Sequence, residues 1–200
     1  MSSAPIIRPY RPEDRADCYE ICVRTADLGD DATGLYSTDE LMGDLFFGPF
    51  VDIDPTLAFV VDTGERVAGY VIGADTKPFI ARYRAELLPA FAEKYPLGAE
   101  RAPHEQNMVA LGYHPERMLF DELDRYPAVL HIDLLPELQG RGFGRKLMNT
   151  LRAALAERGI RAVHLEMVSA NVRAREFYDH LGFEELALYD GLARLAIPTS

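Results

Sequence analysis

The chain has 200 residues, 48% of them hydrophobic and 26% charged, with a formal net charge of −11, which suits one ordinary folded domain with a sizeable core. No apolar run reaches membrane-spanning length, and the acidic balance argues against a general nucleic-acid binder. The opening MSSAPIIRPY lacks the basic-then-apolar layout of a secretory signal, so a cytoplasmic protein with no membrane partner is expected.

In chain order, PIIRPY predicts a first strand. A helix then opens at Pro12 with Glu13 and Asp14 in its first turn, where proline and acidic side chains are favoured. Cys18, Ile21 and Cys22 form an apolar stripe on it, so the two cysteines read as core packing rather than a disulfide or metal pair. STDELMGDLFF predicts a second helix capped by Ser37 or Thr38. TLAFVVDTGERVAGYVIGAD predicts a hairpin turning at Thr63-Gly64-Glu65.

Residues 76–127 are too many for a bare loop inside a compact domain. IARYRAELLPAFAEKY and PERMLFDELDRY both have helical patterning, so a mainly helical insertion is expected, bent at Pro89. Then follow a strand (AVLHIDLL), a helix from about Phe143 with Leu147, Leu151 and Leu155 on one stripe, a strand (AVHLEMVS), a helix closed by Gly182, and a hairpin turning near Asp190-Gly191. The expected fold is α/β: one domain over 1–200, built on a mixed sheet of about seven strands flanked by helices. The helical insertion falls between the third and fourth strands.

Charge is unevenly distributed. Gln139 to Arg175 carries eight basic residues against two acidic ones, whereas Asp27 to Asp54 carries eight acidic residues and no basic one. The basic stretch contains PELQGRGFGRKLM, in which glycines fall between a strand and a helix start. Unpaired amides and the positive end of a helix dipole converge in such a turn, which makes it an anion site. The dinucleotide pattern G-x-G-x-x-G fails on spacing, needing glycine at Arg145 or Leu147. The phosphate-loop pattern G-x-x-x-x-G-K-[ST] finds no match.

Gln139, Gly142 and Gly144 do match Q-x-x-G-x-G, and this stretch resembles the acyl-CoA pyrophosphate loop of the GCN5-related N-acetyltransferases, the GNAT superfamily. LEMVSANVRAREFYDHLGF resembles that family's second signature through Asn171, Ala174, Tyr178, Leu181, Gly182 and Phe183. IIRPYRPEDRADCYEIC, VAGYVIGADTKPF and HIDLLP are similar to the acetyltransferase-like domain at the C-terminus of eukaryotic O-GlcNAcase. That likeness concerns this domain alone and implies none of the sugar-removing activity.

The resemblance implies acetyl-CoA as cosubstrate, no metal, and direct acetyl transfer to an amine in a ternary complex. It places the pyrophosphate on Gln139, Gly140, Arg141, Gly142, Phe143, Gly144 and Arg145. The backbone of Ile132 and Leu134 would hold the acetyl carbonyl and pantetheine amides, and Asn171 the cofactor arm. Arg173, Arg175 and Lys146 would join the arginines facing the phosphates. Tyr178 would face the thioester sulfur as proton donor. Glu166 precedes it by twelve residues, the spacing of the branch that acetylates ribosomal-protein N-termini, and is the first candidate base; Asp133 is the second. Ala128 stands where the histone-acetylating branch carries a glutamate. His131 and His164 read as packing residues, and His104, His114 and His180 form no metal-ligand pattern.

A small-molecule amine, a peptide N-terminus and a protein lysine all remain open as acceptors, and there is room for a homodimer. The acidic stretch would line the acceptor side and favour a cationic amine. The alternative, from another class, is a non-catalytic acetyl-CoA-binding module used in regulation or partner contact.

Overall fold

The computed structural model describes residues 4–200. Seven strands form one sheet: β1 (Ile6–Pro9), β2 (Ala58–Asp62), β3 (Val67–Asp75), β4 (Ala128–Leu134), β5 (Ala162–Val168), β6 (Glu184–Tyr189) and β7 (Leu192–Pro198). Their order is β1-β2-β3-β4-β5-β7-β6. Every neighbouring pair is antiparallel except β4 and β5. Central β3 is buried at every position but its last. Both its faces are covered, so it reads as a continuous apolar run rather than an alternation.

Three helices, α1 (Arg15–Arg24), α2 (Glu40–Phe46) and α3 (Gly48–Ile53), join β1 to β2. Cys18, Ile21 and Cys22 of α1 are buried, and neither cysteine is in a disulfide. On the other face lie α7 (Phe143–Glu157) and α8 (Val172–Leu181). Helix α7 buries Leu147, Leu151 and Leu155 completely. Its fit to the sheet depends on Gly73, where a Cβ would stand 3.0 Å from Leu151. A Cβ on Gly144 would come within 2.7 Å of the Phe177 ring, so glycine there sets the α7–α8 approach. Alternation along β4 turns Leu130, Ile132 and Leu134 toward α7, and Val129, His131 and Asp133 toward α1 and α2.

The insertion comprises α4 (Thr76–Arg82), a π turn (Tyr83–Leu87), α5 (Leu88–Lys94) and α6 (Pro103–Tyr113). Here the structure departs from the sequence reading. The irregularity precedes Pro89 instead of falling on it, because a proline ring has no amide to give Ala85 and crowds that carbonyl, widening the preceding turn. PERMLFDELDRY is not a helix: only Pro115–Met118 forms a 3-10 turn, and tight turns follow. Its apolar residues divide between two packing sites, with Met118 against the main core and Phe120 against Tyr126. Helix α3 was not anticipated either. Of the two expected caps of α2, Thr38 serves: its Oγ1 accepts from the Glu40 amide at 3.2 Å, whereas Asp39 makes no side-chain cap bond. Ser37 instead donates its hydroxyl and amide to buried Glu105 of α6, tying the insertion to the loop before α2. Among the described residues no helix is long and apolar enough to cross a membrane.

Candidate functional site

The site begins with a split in the sheet. Strands β4 and β5 are paired only at Ala128–Val163 and Val129–His164, although each stays fully paired to its other neighbour. Beyond Val129 they diverge, leaving the facing edges of Leu130–Leu134 and Leu165–Val168 without a partner strand. A buried strand edge needs hydrogen bonds from something else, and Ile132 and Leu134 lie on this one.

The glycine-rich turn closes the mouth of the split. Leu135 and Leu138 anchor it in the core, and Gln139 donates its side-chain amide to the Leu134 carbonyl at 2.9 Å. Gly140 and Gly142 have φ of 68° and 80°, where a side chain is strained although nothing lies within 4 Å of either Cβ position. The first backbone bond of α7 runs from the Lys146 amide to the Gly142 carbonyl. Six consecutive amides, Gly140 through Arg145, thus donate to no backbone carbonyl among the described residues. They converge with the α7 dipole in the arrangement that binds diphosphates.

The basic side chains are less uniform than the sequence suggested. Arg145 donates to the His180 carbonyl, Arg173 pairs with Asp30, and Arg175 with Asp179 and Glu185. Arg141 and Lys146 flank the turn, both over the Phe143 ring. Asn171 caps α8, its Oδ1 accepting from the Ala174 amide at 3.0 Å. That leaves its NH₂ to donate. Tyr178 is buried edge-on between Phe177 and Phe183. Its hydroxyl makes no hydrogen bond among the described residues. Burial and then the charge of Asp133 raise its pKa above the ordinary phenol value, so the hydroxyl keeps its proton at neutral pH.

The two candidate carboxylates differ. Glu166 accepts from Arg194 at 2.5 Å and from the Tyr189 hydroxyl, with Arg117 at 3.8 Å. Asp133 accepts from the Tyr70 hydroxyl at 2.7 Å, and that hydroxyl also contacts His131 Nδ1 and Cys22 Sγ, each at 3.0 Å. With the one Tyr70 proton on Asp133, its oxygen accepts from the other two. Burial raises the Asp133 pKa, against the opposing charge of His131. His131 is therefore part of a polar relay as well as packed, stacked on Phe46 at 5.4 Å. The sequence did hold a signal for this: Tyr70 lies within an otherwise apolar strand, and a buried tyrosine hydroxyl needs a partner.

His164 is 2% exposed, with Nδ1 2.8 Å from the Tyr126 carbonyl. Burial, reinforced by Arg194, pushes its pKa from 6.5 down to about 4. The unfolded chain therefore binds the proton more readily than the fold. This contribution to stability is complete above pH 6.5, falls as pH drops, and changes no further below about 4. Urea unfolding should show about 2 kcal/mol lost between pH 7 and pH 5 from this group. His164→Gln should flatten that slope.

A pocket lies on the α2–α3 side of the split, between the sheet and the insertion. Phe46, Phe50, Phe79 and Tyr83 form its aromatic lining, with Glu166, His131, His164 and Arg117 as its main polar lining. The expected acidic wall is absent from it. Asp30, Asp44, Asp52 and Asp54 pair with Arg173, Lys94, Arg15 and Arg158. The same stretch contributes Leu45, Phe46, Pro49 and Phe50 to the pocket, because a helix that turns its apolar residues inward turns its carboxylates out. Arg117 and Tyr83, both in the insertion, had no sequence signal. Among the described residues no cluster of three or more His, Cys, Asp or Glu is arranged to hold a metal ion.

Residues 24–183 match the profile of the acetyltransferase (GNAT) family. The chain is 29% identical over 195 residues to protein O-GlcNAcase of Rattus norvegicus, covering 94% of this chain and 21% of that one. It therefore spans about a fifth of the length of that curated relative. It is 32% identical over 81 residues to the [ribosomal protein bS18]-alanine N-acetyltransferase of Haemophilus influenzae, covering 40% and 52% of the two chains. The crystal structure of SsHAT superposes with a TM-score of 0.94 at 49% identity, covering 99% of this chain and 100% of that one.

Proposed function

The chain belongs to the acetyltransferase (GNAT) family, whose members use acetyl-CoA, and from that we propose that it moves an acetyl group from acetyl-CoA to a primary amine by direct transfer in a ternary complex. The observation that carries this reading is the run of unpaired amides from Gly140 to Arg145 across the mouth of the β4–β5 split. The pyrophosphate would sit on those amides beside Arg141. The pantetheine arm would fill the split, pairing with the free edge at Ile132 and Leu134 and with the Asn171 amide. The thioester would then lie between Tyr178 on one side of the sheet and the pocket on the other.

The chemistry needs two proton transfers. An alkyl ammonium of pKa about 10.4 must lose its proton before nitrogen can attack the thioester carbonyl. We assign that proton to Asp133, through water, because burial raises its affinity for a proton. Glu166, held by Arg194 and Tyr189, shapes the pocket in this reading. As the tetrahedral intermediate collapses the carbon–sulfur bond breaks, and the departing thiolate takes a hydrogen bond or a proton from Tyr178. The nitrogen gives up its second proton in that collapse, and it passes to sulfur directly or through Tyr178, so that a neutral amide and a neutral thiol result.

Calorimetry with coenzyme A and thiol release from acetyl-CoA over a panel of amines test this. Acetyl-CoA at 100 times its Kd should raise stability by about 2.7 kcal/mol, and at least one amine should drive thiol release. Absence of any heat with coenzyme A would overturn the reading. Binding without turnover on any amine would favour the non-catalytic module, to which the partial O-GlcNAcase match also points.

A further inference from the structure

Two cations stand beside one carboxylate at the pocket. Glu166, in its lining, is matched from behind by Arg194, whose side chain is 91% buried and bonded at 2.5 Å. Arg117 is a second cation beside the same carboxylate. Its nearest approach, 3.8 Å to Glu166 Oε2, exceeds a hydrogen bond, and its side chain donates none among the described residues. Two-thirds of that side chain is nonetheless covered. Loss of solvent lowers its pKa from the ordinary arginine value, the mark of a charge short of compensation.

The neighbouring groups do not supply the missing anion. His164 is neutral at pH 7 and His131 is engaged with Tyr70. The rest of the wall is apolar and aromatic, including the stacked Phe50–Phe79 pair at 4.5 Å. The π turn places Tyr83 here, its hydroxyl held by the Gly112 carbonyl. Such turns recur at functional sites.

On the reading that this chain acetylates an amine, we infer that the acceptor is an amino acid-like molecule: an apolar body carrying a carboxylate, which Arg117 selects. A guanidinium presents a planar fork that a carboxylate matches with two parallel bonds. Glu166 lies close enough to oppose a second negative charge, which favours a monoanion over a phosphate dianion. The aromatic walls take the apolar body and leave its amine facing the split. Arg117 is a specificity-determining residue here; it makes no contact with the acetyl group.

The test uses the full chain and needs no turnover. Benzoate, phenylacetate and 3-phenylpropanoate, each beside its amide, are titrated at pH 7 by ligand-observed NMR. At least one acid should bind tenfold or more tightly than its amide, a difference of about 1.4 kcal/mol. Arg117→Ala should remove that preference, lowering acid affinity tenfold with amide affinity unchanged, and Arg117→Lys should fall between. The inference fails if no acid exceeds its amide, or if Arg117→Ala binds the acids as the parent does. The acid–amide comparison on the parent chain decides the matter even if the variant does not fold. Acceptors whose amine neighbours an amide, as in a protein chain, would appear as amide preference. Acid preference together with no thiol release over the amine panel would defeat acetyl transfer and leave Arg117 a carboxylate-binding residue with no acceptor to select. Turnover with amide preference would do the reverse.

Discussion

Replacing Tyr178 by phenylalanine should lower kcat about a hundredfold or more and leave the Kd of acetyl-CoA within about twofold. The magnitude is that of a positioned proton donor, roughly 10²–10⁴ in rate. The substitution is clean because the ring stays between Phe177 and Phe183 and the hydroxyl has no partner in the resting fold. Stability should therefore change little. The thiol of coenzyme A, with pKa near 8.5, is a stronger acid than a tyrosine phenol of pKa about 10, so full transfer from Tyr178 is uphill. In the proposed mechanism the hydroxyl supplies a hydrogen bond that strengthens as charge develops on sulfur. Since burial raises the Tyr178 pKa, its ionisation should add no descending limb to kcat up to about pH 10. Thiol-release kinetics with a saturating amine decide the point. Unchanged turnover would make Tyr178 a core residue and nothing more.

Gly142→Val should weaken acetyl-CoA binding on the order of a hundredfold, a cost of about 2–3 kcal/mol. No clash is involved, since nothing lies within 4 Å of the added Cβ. The whole effect comes from the backbone: at φ of 80° a β-branched side chain is strained. Either the strain is kept and stability falls, or the turn relaxes and its amides no longer converge. Gly98 is a matched control, with φ of 85° and equally open space, within the insertion. Gly98→Val should cost similar stability and leave calorimetric Kd unchanged. Equal Kd values for both variants and the parent would detach the glycine turn from the cofactor.

Much of the geometry at the mouth of the split was legible because it depends on local rules. A glycine at positive φ, a strand followed by a turn and a helix, and an asparagine at a helix start each leave a signature within a few residues. The stripe of Leu147, Leu151 and Leu155 is equally local, and each is fully buried. What lies on the α1–α2 side of the split was not legible. The relay joins Cys22, Tyr70, His131 and Asp133 from three elements, and its pairs lie 48 to 63 residues apart along the chain. Side chains that far apart leave no pattern in one sequence. Glu166 shows the same limit: its spacing from Tyr178 was visible, but its bond to Arg194 follows from the register of β5 with β7.

The acidic stretch is the sharpest case. Counting charges between Asp27 and Asp54 suggested one surface, whereas helix rotation sent the carboxylates outward to separate partners and the aromatic residues inward. By itself, then, the order of residues determined the strands, the glycine-rich turn and the family, because backbone preference and hydrophobic period act over one or two turns of chain. Only the tertiary structure decided which carboxylate is held by an arginine, which arginine lacks hydrogen bonds, and what lines the pocket. Those are properties of side chains meeting across the sheet, set by register and packing over distances that sequence spacing does not encode.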